Sequence, residues 1–158
     1  MESTIRPATA GDAARLRRLQ AELTEPAPGL LDAAITQSSA TDDTDTHSGA
    51  ASTPKAFTLL VSVDEADIAV GYLLALTGET THIAELAVDP AYRREGRAKA
   101  LLAAVINQTT EPITVHVAVD NTAAIALYRS IGFQEAARSD GRFEHATGLT
   151  LRYPSVER

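Results

Sequence analysis

Four cations, Arg93, Arg94, Arg97 and Lys99, fall within residues 91–99, with Gly96 among them and Glu95 as the lone acid. The whole chain of 158 residues carries a formal charge of −7, so this local positive excess runs against its surroundings. Such a cluster is suited to holding an anion. A glycine lets the backbone approach a ligand and take a positive φ, and Ala98 keeps the loop clear of bulky side chains. The stretch leads from an apolar run ending at Val88 into a helical pattern. The first turn of a helix offers N–H groups without intrahelical partners and the positive end of its dipole. A pyrophosphate suits both features. The run is not a P-loop, since no Gly-Lys-Ser/Thr follows, and it lacks the G-x-G-x-x-G spacing of a dinucleotide fingerprint.

The elements that must position this loop are legible from periodicity. Thr4 to Ala8 reads as a first strand closed by Pro7. Thr9 and Asp12 have capping-box spacing ahead of a helix whose Leu16, Leu19 and Leu23 share a face, and Pro26 and Pro28 stop it. A weak second helix runs from Leu30 to about Gln37. Thr36 to Ala56 then holds nine Ser or Thr, three Asp and no large aliphatic or aromatic residue. That composition cannot offset the entropy of ordering, so a disordered-like polar loop is expected at about 37–55, inside a single domain of 1–158. Phe57–Val63 and Ile68–Leu76 read as a hairpin across Asp64–Asp67, and His82–Val88 as a further strand ended by Asp89-Pro90. Ala98, Leu101, Leu102, Val105 and Ile106 mark one face of a helix, and Ile113–Val119 alternates as a strand. Asn121–Ile131 is a helix with Asp120 or Asn121 as cap and Gly132 as stop. Phe133–Ala137 and Thr147–Tyr153 finish as strands joined across Asp140-Gly141, with Ser139 and Asp140 as turn residues. The order β-α-α-β-β-β-α-β-α-β-β predicts an α+β sandwich of helices on a mixed sheet.

Composition narrows the classes. Hydrophobic residues at 44% and charged residues at 22% fit one globular domain with a sizeable core. The absence of cysteine excludes disulfides, zinc-thiolate sites and thiol nucleophiles, and fits a cytoplasmic location. The longest uncharged apolar stretch, Ile68 to Leu76, is far short of the ~20 residues that span a bilayer. The N-terminus MESTIRPATAGD lacks the basic start and apolar run of a signal peptide, so no membrane partner is expected. An acidic chain is a poor non-specific nucleic-acid binder and is compatible with cationic amines. His47, His82 and His145 stand out in no pattern, and no spacing of His, Asp and Glu suggests a metal.

Two segments together carry a resemblance. Arg93-x-x-Gly96-x-Ala98 resembles the Arg/Gln-x-x-Gly-x-Gly/Ala motif of the GNAT superfamily of N-acetyltransferases. Asn121-Thr-Ala-Ala-Ile-Ala-Leu-Tyr128-Arg-Ser-Ile-Gly132-Phe133 is similar to that family's Asn…Ala…Leu-Tyr…Gly-Phe segment, and the element order resembles its fold across nearly the whole chain. The resemblance implies a mostly antiparallel mixed sheet with splayed central strands, helices on both faces, and acetyl-CoA as the acyl donor. By the same resemblance, the pyrophosphate sits on backbone N–H groups of Arg93, Arg94, Glu95, Gly96, Arg97 and Ala98, with the three arginines adding charge. The pantetheine arm pairs like a strand with Leu86, Ala87 and Val88, and Asn121 and Ala124 join the cofactor-binding set. Arg94 stands where the family often has Gly and Arg97 where an aliphatic residue is common, and Glu95 sets a negative charge beside the phosphates unless it points to solvent.

Acetyl transfer to an amine needs a neutral nucleophile, an oxyanion donor and a proton for the leaving thiolate. The resemblance makes Tyr128 the acid, and a phenol of pKa about 10 is protonated at neutral pH. The same residue also has the helical spacing of a core aromatic relative to Ala124 and Ile131. The base stays open among His116, on the less apolar strand face with Thr114 and Ala118, Glu85, acting through water, and solvent. In the branch that acetylates protein N-termini, the position matching His116 is a Glu. The family's acceptor walls correspond to Pro26–Gln37 and Arg138–Thr147, and Asp42, Asp43 and Asp45 are acids that could draw in a cationic amine. The expected activity is acetyl transfer by direct attack in a ternary complex, onto a primary amine of a small molecule or of a peptide or protein. The alternative is a non-catalytic acyl-CoA-binding sensor or regulatory module, against which Tyr128 argues. Family members are often dimers, so the resemblance also admits a homodimer.

Overall fold

The computed structural model describes residues 4–23, 28–42, 57–93, 95–143 and 146–154. Strand β1 (Thr4–Pro7) leads through a short 3-10 turn (Ala10–Asp12) into α1 (Ala13–Gln20) and then α2 (Pro28–Asp42). The hairpin β2 (Phe57–Val63) and β3 (Ala69–Leu76) is followed by β4 (Thr81–Val88), a second 3-10 turn (Pro90–Tyr92) and α3 (Arg97–Gln108). Strand β5 (Ile113–Ala118), α4 (Thr122–Ile131), β6 (Gln134–Phe143) and β7 (Ala146–Tyr153) complete the order, which is the one predicted. The described strands form one seven-stranded sheet, β1-β2-β3-β4-β5-β7-β6. Every neighbouring pair is antiparallel except β4 and β5.

Local chemistry sets the first elements. The Asp12 carboxylate accepts from the Thr9 backbone N–H at 2.8 Å, as the capping-box spacing predicts, and from both Arg6 Nη atoms at 2.8 and 3.0 Å. In the β2–β3 turn, Asp64 Oδ1 accepts from the N–H groups of Ala66 and Ile68, and Asp67 takes the left-handed conformation at φ 66°. An Asp-led turn thus replaces the Asn-Gly pair that this hairpin lacks.

Helices cover both faces of the sheet. Leu16 and Leu19 of α1 and Leu31, Ala34 and Ile35 of α2 pack with Val61, Tyr72 and Leu74 on one face. Leu101, Leu102 and Val105 of α3 and Tyr128 of α4 pack with Leu60, Leu73, Val115 and Leu151 on the other. Strands β2 and β3 lie between the two layers and are buried along most of their length, which is why they read as near-continuous apolar runs.

Two predicted boundaries are corrected. Helix α2 begins at Pro28 and continues past Gln37 to Asp42. Proline is tolerated at the first helical position. Once Leu31, Ala34 and Ile35 anchor the helix, each further residue adds a local hydrogen bond without needing apolar burial. The rest of the predicted polar loop, with Asp43, Asp45 and His47, lies outside the described residues, as do Pro26 and the side chain of Asp42. Asp140 and Gly141 do not turn the last hairpin. They lie inside β6, where the register against β7 shifts between Ser139–Gly148 and Phe143–Ala146, so a bulge absorbs them. Residues 144–145, with His145 inside the predicted acceptor wall Arg138–Thr147, lie outside the described set. Among the described residues, no helix is long and apolar enough to cross a membrane.

Candidate active site

The parallel ladder between β4 and β5 comprises three pairs, Thr81–Ile113, His82–Thr114 and Ile83–Val115. Just beyond it, β4 slips against β3 between Ala75–Ile83 and Leu74–Glu85, which leaves Ala84 as the extra residue of a bulge. A bulge bends its strand and resets the alternation of side chains. Ile83 and Leu86 pack on the α3/α4 side, whereas Ala84 and Ala87 pack on the α1/α2 side and Glu85 reaches Gln20 of α1. The Asp89 N–H donates to Val70 O at 2.8 Å, toward β3. Alternation therefore aims the peptide groups of Val88 and Leu86 the other way, along the edge that β5 has left. Arg93 Nε donates to Val88 O at 3.0 Å.

A cavity of about 500 Å³ lies at this edge. Leu86, Ala87 and Val88 form one wall, and Ala124, Leu127 and Tyr128 of α4 another. Tyr92, Arg93, Gly96, Arg97, Ala98 and Lys99 form the end at the start of α3, and Glu22 and Leu23 close it from the end of α1. Gly96 caps α3 at φ 81°, and a Cβ built there meets no atom within 4 Å. The backbone conformation, not crowding, therefore calls for glycine, and the space beside it is open. Ala100 N–H donates to Gly96 O at 2.9 Å, and the N–H groups ahead of it belong to the first turn, which has no intrahelical acceptors.

The basic loop divides its labour in a way its composition does not reveal. Arg97 borders the cavity, yet its guanidinium is held elsewhere. It donates to Glu95 Oε1 at 2.9 Å, Ser62 Oγ at 2.9 Å and Val63 O at 3.1 Å, and lies 5.1 Å from the Tyr92 ring centroid. The same pair neutralises Glu95, which does not line the cavity. Arg93 and Lys99 are the other described cations of the cavity, and Arg94 lies outside the described residues. Asn121 caps α4 by accepting from Ala124 N–H at 3.2 Å and does not line the cavity, whereas Ala124 does.

The candidate acid and bases fall on opposite sides of the sheet. Tyr128 is 4% exposed, packs edge-on to Phe133 with ring centroids 5.2 Å apart, and lines the cavity. Burial pushes its phenol well above the ordinary value of 10.0, so it holds its proton throughout the neutral range. Val115 and Val117 face the α3/α4 core, which puts His116 on the other face. There His116 Nδ1 lies 2.9 Å from Thr150 Oγ1, and its ring centroid is 4.6 Å from that of His82. His82 Nδ1 in turn lies 3.0 Å from Thr114 Oγ1. Glu85 is buried on the α1 side.

His82, Tyr72 and Gln20 join these groups without belonging to any motif of the sequence. Gln20 had a signal, since it falls four residues after Leu16 on the apolar face of α1, where a buried amide requires a partner. His82 and Tyr72 had none, because their neighbours come from other strands. Among the described residues, no group of three His, Cys, Asp or Glu could hold a metal.

Residues 17–133 match the family model of the acetyltransferase (GNAT) family. A 55-residue stretch is 44% identical to the ribosomal protein bS18-alanine N-acetyltransferase of Escherichia coli K12, covering 32% of this chain and 37% of that protein. An 83-residue stretch is 37% identical to the peptidyl-lysine N-acetyltransferase YjaB of Salmonella typhimurium, covering 52% and 54%. The chain thus spans 37% and 54% of the lengths of these two curated relatives. The crystal structure of the ribosomal-protein-S18-alanine N-acetyltransferase from Escherichia coli superposes with a TM-score of 0.77 at 17% identity, over 99% of this chain and 96% of that one. Arabidopsis thaliana NAA60 in complex with acetyl-CoA gives 0.76 at 18% identity, over 96% and 98%. At these identities the structural likeness is one of fold.

Proposed function

The chain belongs to the GNAT acetyltransferase family, and from that premise we propose that it moves an acetyl group from acetyl-CoA to a primary amine by direct attack in a ternary complex. The observation that carries this reading is the meeting of three features in one cavity: the open edge of β4, the glycine-capped start of α3, and the buried phenol of Tyr128. In this reading the first-turn N–H groups of α3 hold the pyrophosphate, with Arg93, Arg94 and Lys99 supplying charge. Leu86 and Val88 bond the pantetheine arm as an added strand. In the same reading the acceptor amine approaches the thioester from the sheet face that carries His116, past the point where the β4–β5 ladder ends at Ile83–Val115. The amine nitrogen attacks the thioester carbon from that side as the carbon–sulfur bond breaks. Tyr128 gives its proton to the departing thiolate, and His116 or solvent takes a proton from the amine. The activities of the two relatives, on a ribosomal-protein alanine and on peptidyl lysine, favour a peptide or protein amine as acceptor.

Calorimetric titration of acetyl-CoA into the wild type and into Gly96→Trp tests the donor site, because the indole would fill the open space beside residue 96. Release of free CoA thiol with peptides bearing N-terminal or lysine amines, and with small amines, then tests the transfer. Binding lost in Gly96→Trp and thiol release that depends on the acceptor are expected. Binding with no release from any acceptor would point instead to the acyl-CoA-sensing module. Absence of binding to the wild type would sink the donor assignment.

A further inference from the structure

Glu85 sits where simple alternation would not put it. Without the extra residue at Ala84, its side chain would share the α3/α4 face with Ile83, and the bulge turns it to the α1 side. There it is 4% exposed. Gln20 Nε2 donates to both of its oxygens at 3.0 Å, and the Tyr72 hydroxyl donates to Oε1 at 2.9 Å. Burial, with the charge and hydrogen bond of Glu85, holds the Tyr72 phenol above its ordinary value, so Tyr72 keeps the proton it donates. The network joins three elements where β4 leaves β5. Gln20 is the last residue of α1, Tyr72 lies on β3 opposite Ala87, and Glu85 directly precedes the edge that runs from Leu86 to Val88. Just past Gln20, Glu22 and Leu23 line the same cavity as that edge. A general base must aim a lone pair at the proton it removes. Glu85 instead aims both oxygens at protein donors in a buried site.

We propose that Glu85, Gln20 and Tyr72 form a clamp that sets the β4 edge and the α1 wall against the acyl arm of the donor. Glu85 is then a positioning residue and not the base for the amine proton. The clamp rests on the acetyl-CoA reading above and extends it to residues with no role in that reading. A carboxylate suits the task because it only accepts, has several lone pairs, and can hold donors from two elements at once through charge-assisted bonds.

The test uses the full chain with Tyr72→Phe, Gln20→Leu, Glu85→Gln and Glu85→Ala. Acetyl-CoA affinity is measured by calorimetry, and kcat is measured across pH with the panel peptide that releases thiol fastest. Tyr72→Phe, Gln20→Leu and Glu85→Ala are each expected to weaken acetyl-CoA binding about tenfold, the effect of losing one charge-assisted bond. Glu85→Gln, which retains an acceptor oxygen, should recover most of that loss. At saturating donor, kcat should change less than about threefold, with the acidic limb of its pH profile in place, because proton transfer is untouched. A fall in kcat of about a hundredfold in Glu85→Gln, with unchanged donor affinity and a lost acidic limb, would overturn the clamp and make Glu85 the base. Unchanged affinity in all four variants would also overturn it. A wild type that binds no acetyl-CoA would instead overturn the reading beneath it. Tyr72→Phe removes one oxygen and keeps the ring, so it decides the matter even where Glu85→Ala does not fold.

Discussion

Tyr128 combines deep burial with a place on the cavity at the β4 edge, and the two together set what it can do. Its raised phenol stays protonated through the range in which amines become nucleophilic. Tyr128→Phe is therefore expected to lower kcat about a hundredfold, within the span of general-acid contributions, while acetyl-CoA affinity stays within about twofold. Between pH 7 and 10 the wild-type kcat should show no alkaline limb from this phenol, since it does not ionise there. Arg97 shows what residue types leave undecided. Its sequence neighbourhood marks it as a phosphate ligand, yet Ser62, 35 positions away, and Glu95 hold its guanidinium. Arg97→Met should cost about 2 kcal/mol in chemical denaturation, because Ser62 and Val63 lose a charged donor. It should leave the salt dependence of acetyl-CoA binding unchanged, whereas Arg93→Ala should flatten it. A flattened salt slope in Arg97→Met would return that residue to the phosphate site.

Helices α3 and α4 both line the cavity, but their starts are capped differently. Gly96 takes φ 81° with open space around it, so Gly96→Ala should cost about 1 kcal/mol through backbone strain alone. Asn121 bonds Ala124 N–H, so Asn121→Ala should also cost about 1 kcal/mol in thermal or urea unfolding, with acetyl-CoA affinity unchanged. A loss of affinity in Asn121→Ala would restore it to the cofactor-binding set. Capping was readable because it depends on residues within a turn of one another. The bulge at Ala84 was not, because it exists only in the register between β3 and β4.

At the scale of the molecule, Arg6 ties β1 to the start of α1 through Asp12 and to the β2–β3 turn through Asp67. Burial alone would raise the Asp12 carboxyl, but the Arg6 guanidinium and the Thr9 amide and hydroxyl outweigh it and hold the group below its ordinary 3.8. A depressed carboxyl contributes stability that is present above pH 3.8 and lost as pH falls through the lowered folded value. The wild type should lose stability steeply in that acid range. Asp12→Asn should be less stable at neutral pH by about 2 kcal/mol and show a flatter acid limb. Equal acid limbs in urea melts of the two proteins would remove Asp12 from the account.

Element order, the apolar faces of α1 and α3, the Thr9–Asp12 capping box ahead of α1, the Asn121 cap of α4 and the glycine at the start of α3 were all determined by the sequence alone. Each depends on spacing within a few positions, where backbone geometry and side-chain period act directly. Tertiary structure decided the rest: where β4 leaves β5, that Glu85 turns toward α1, that Ser62 and Val63 hold the Arg97 guanidinium, and that His82 lies against His116. These outcomes depend on partners such as Gln20, 65 positions from Glu85, and Thr150, 34 positions from His116. Such pairings form only when the sheet register and both helical layers are in place, so no local spacing along the chain encodes them.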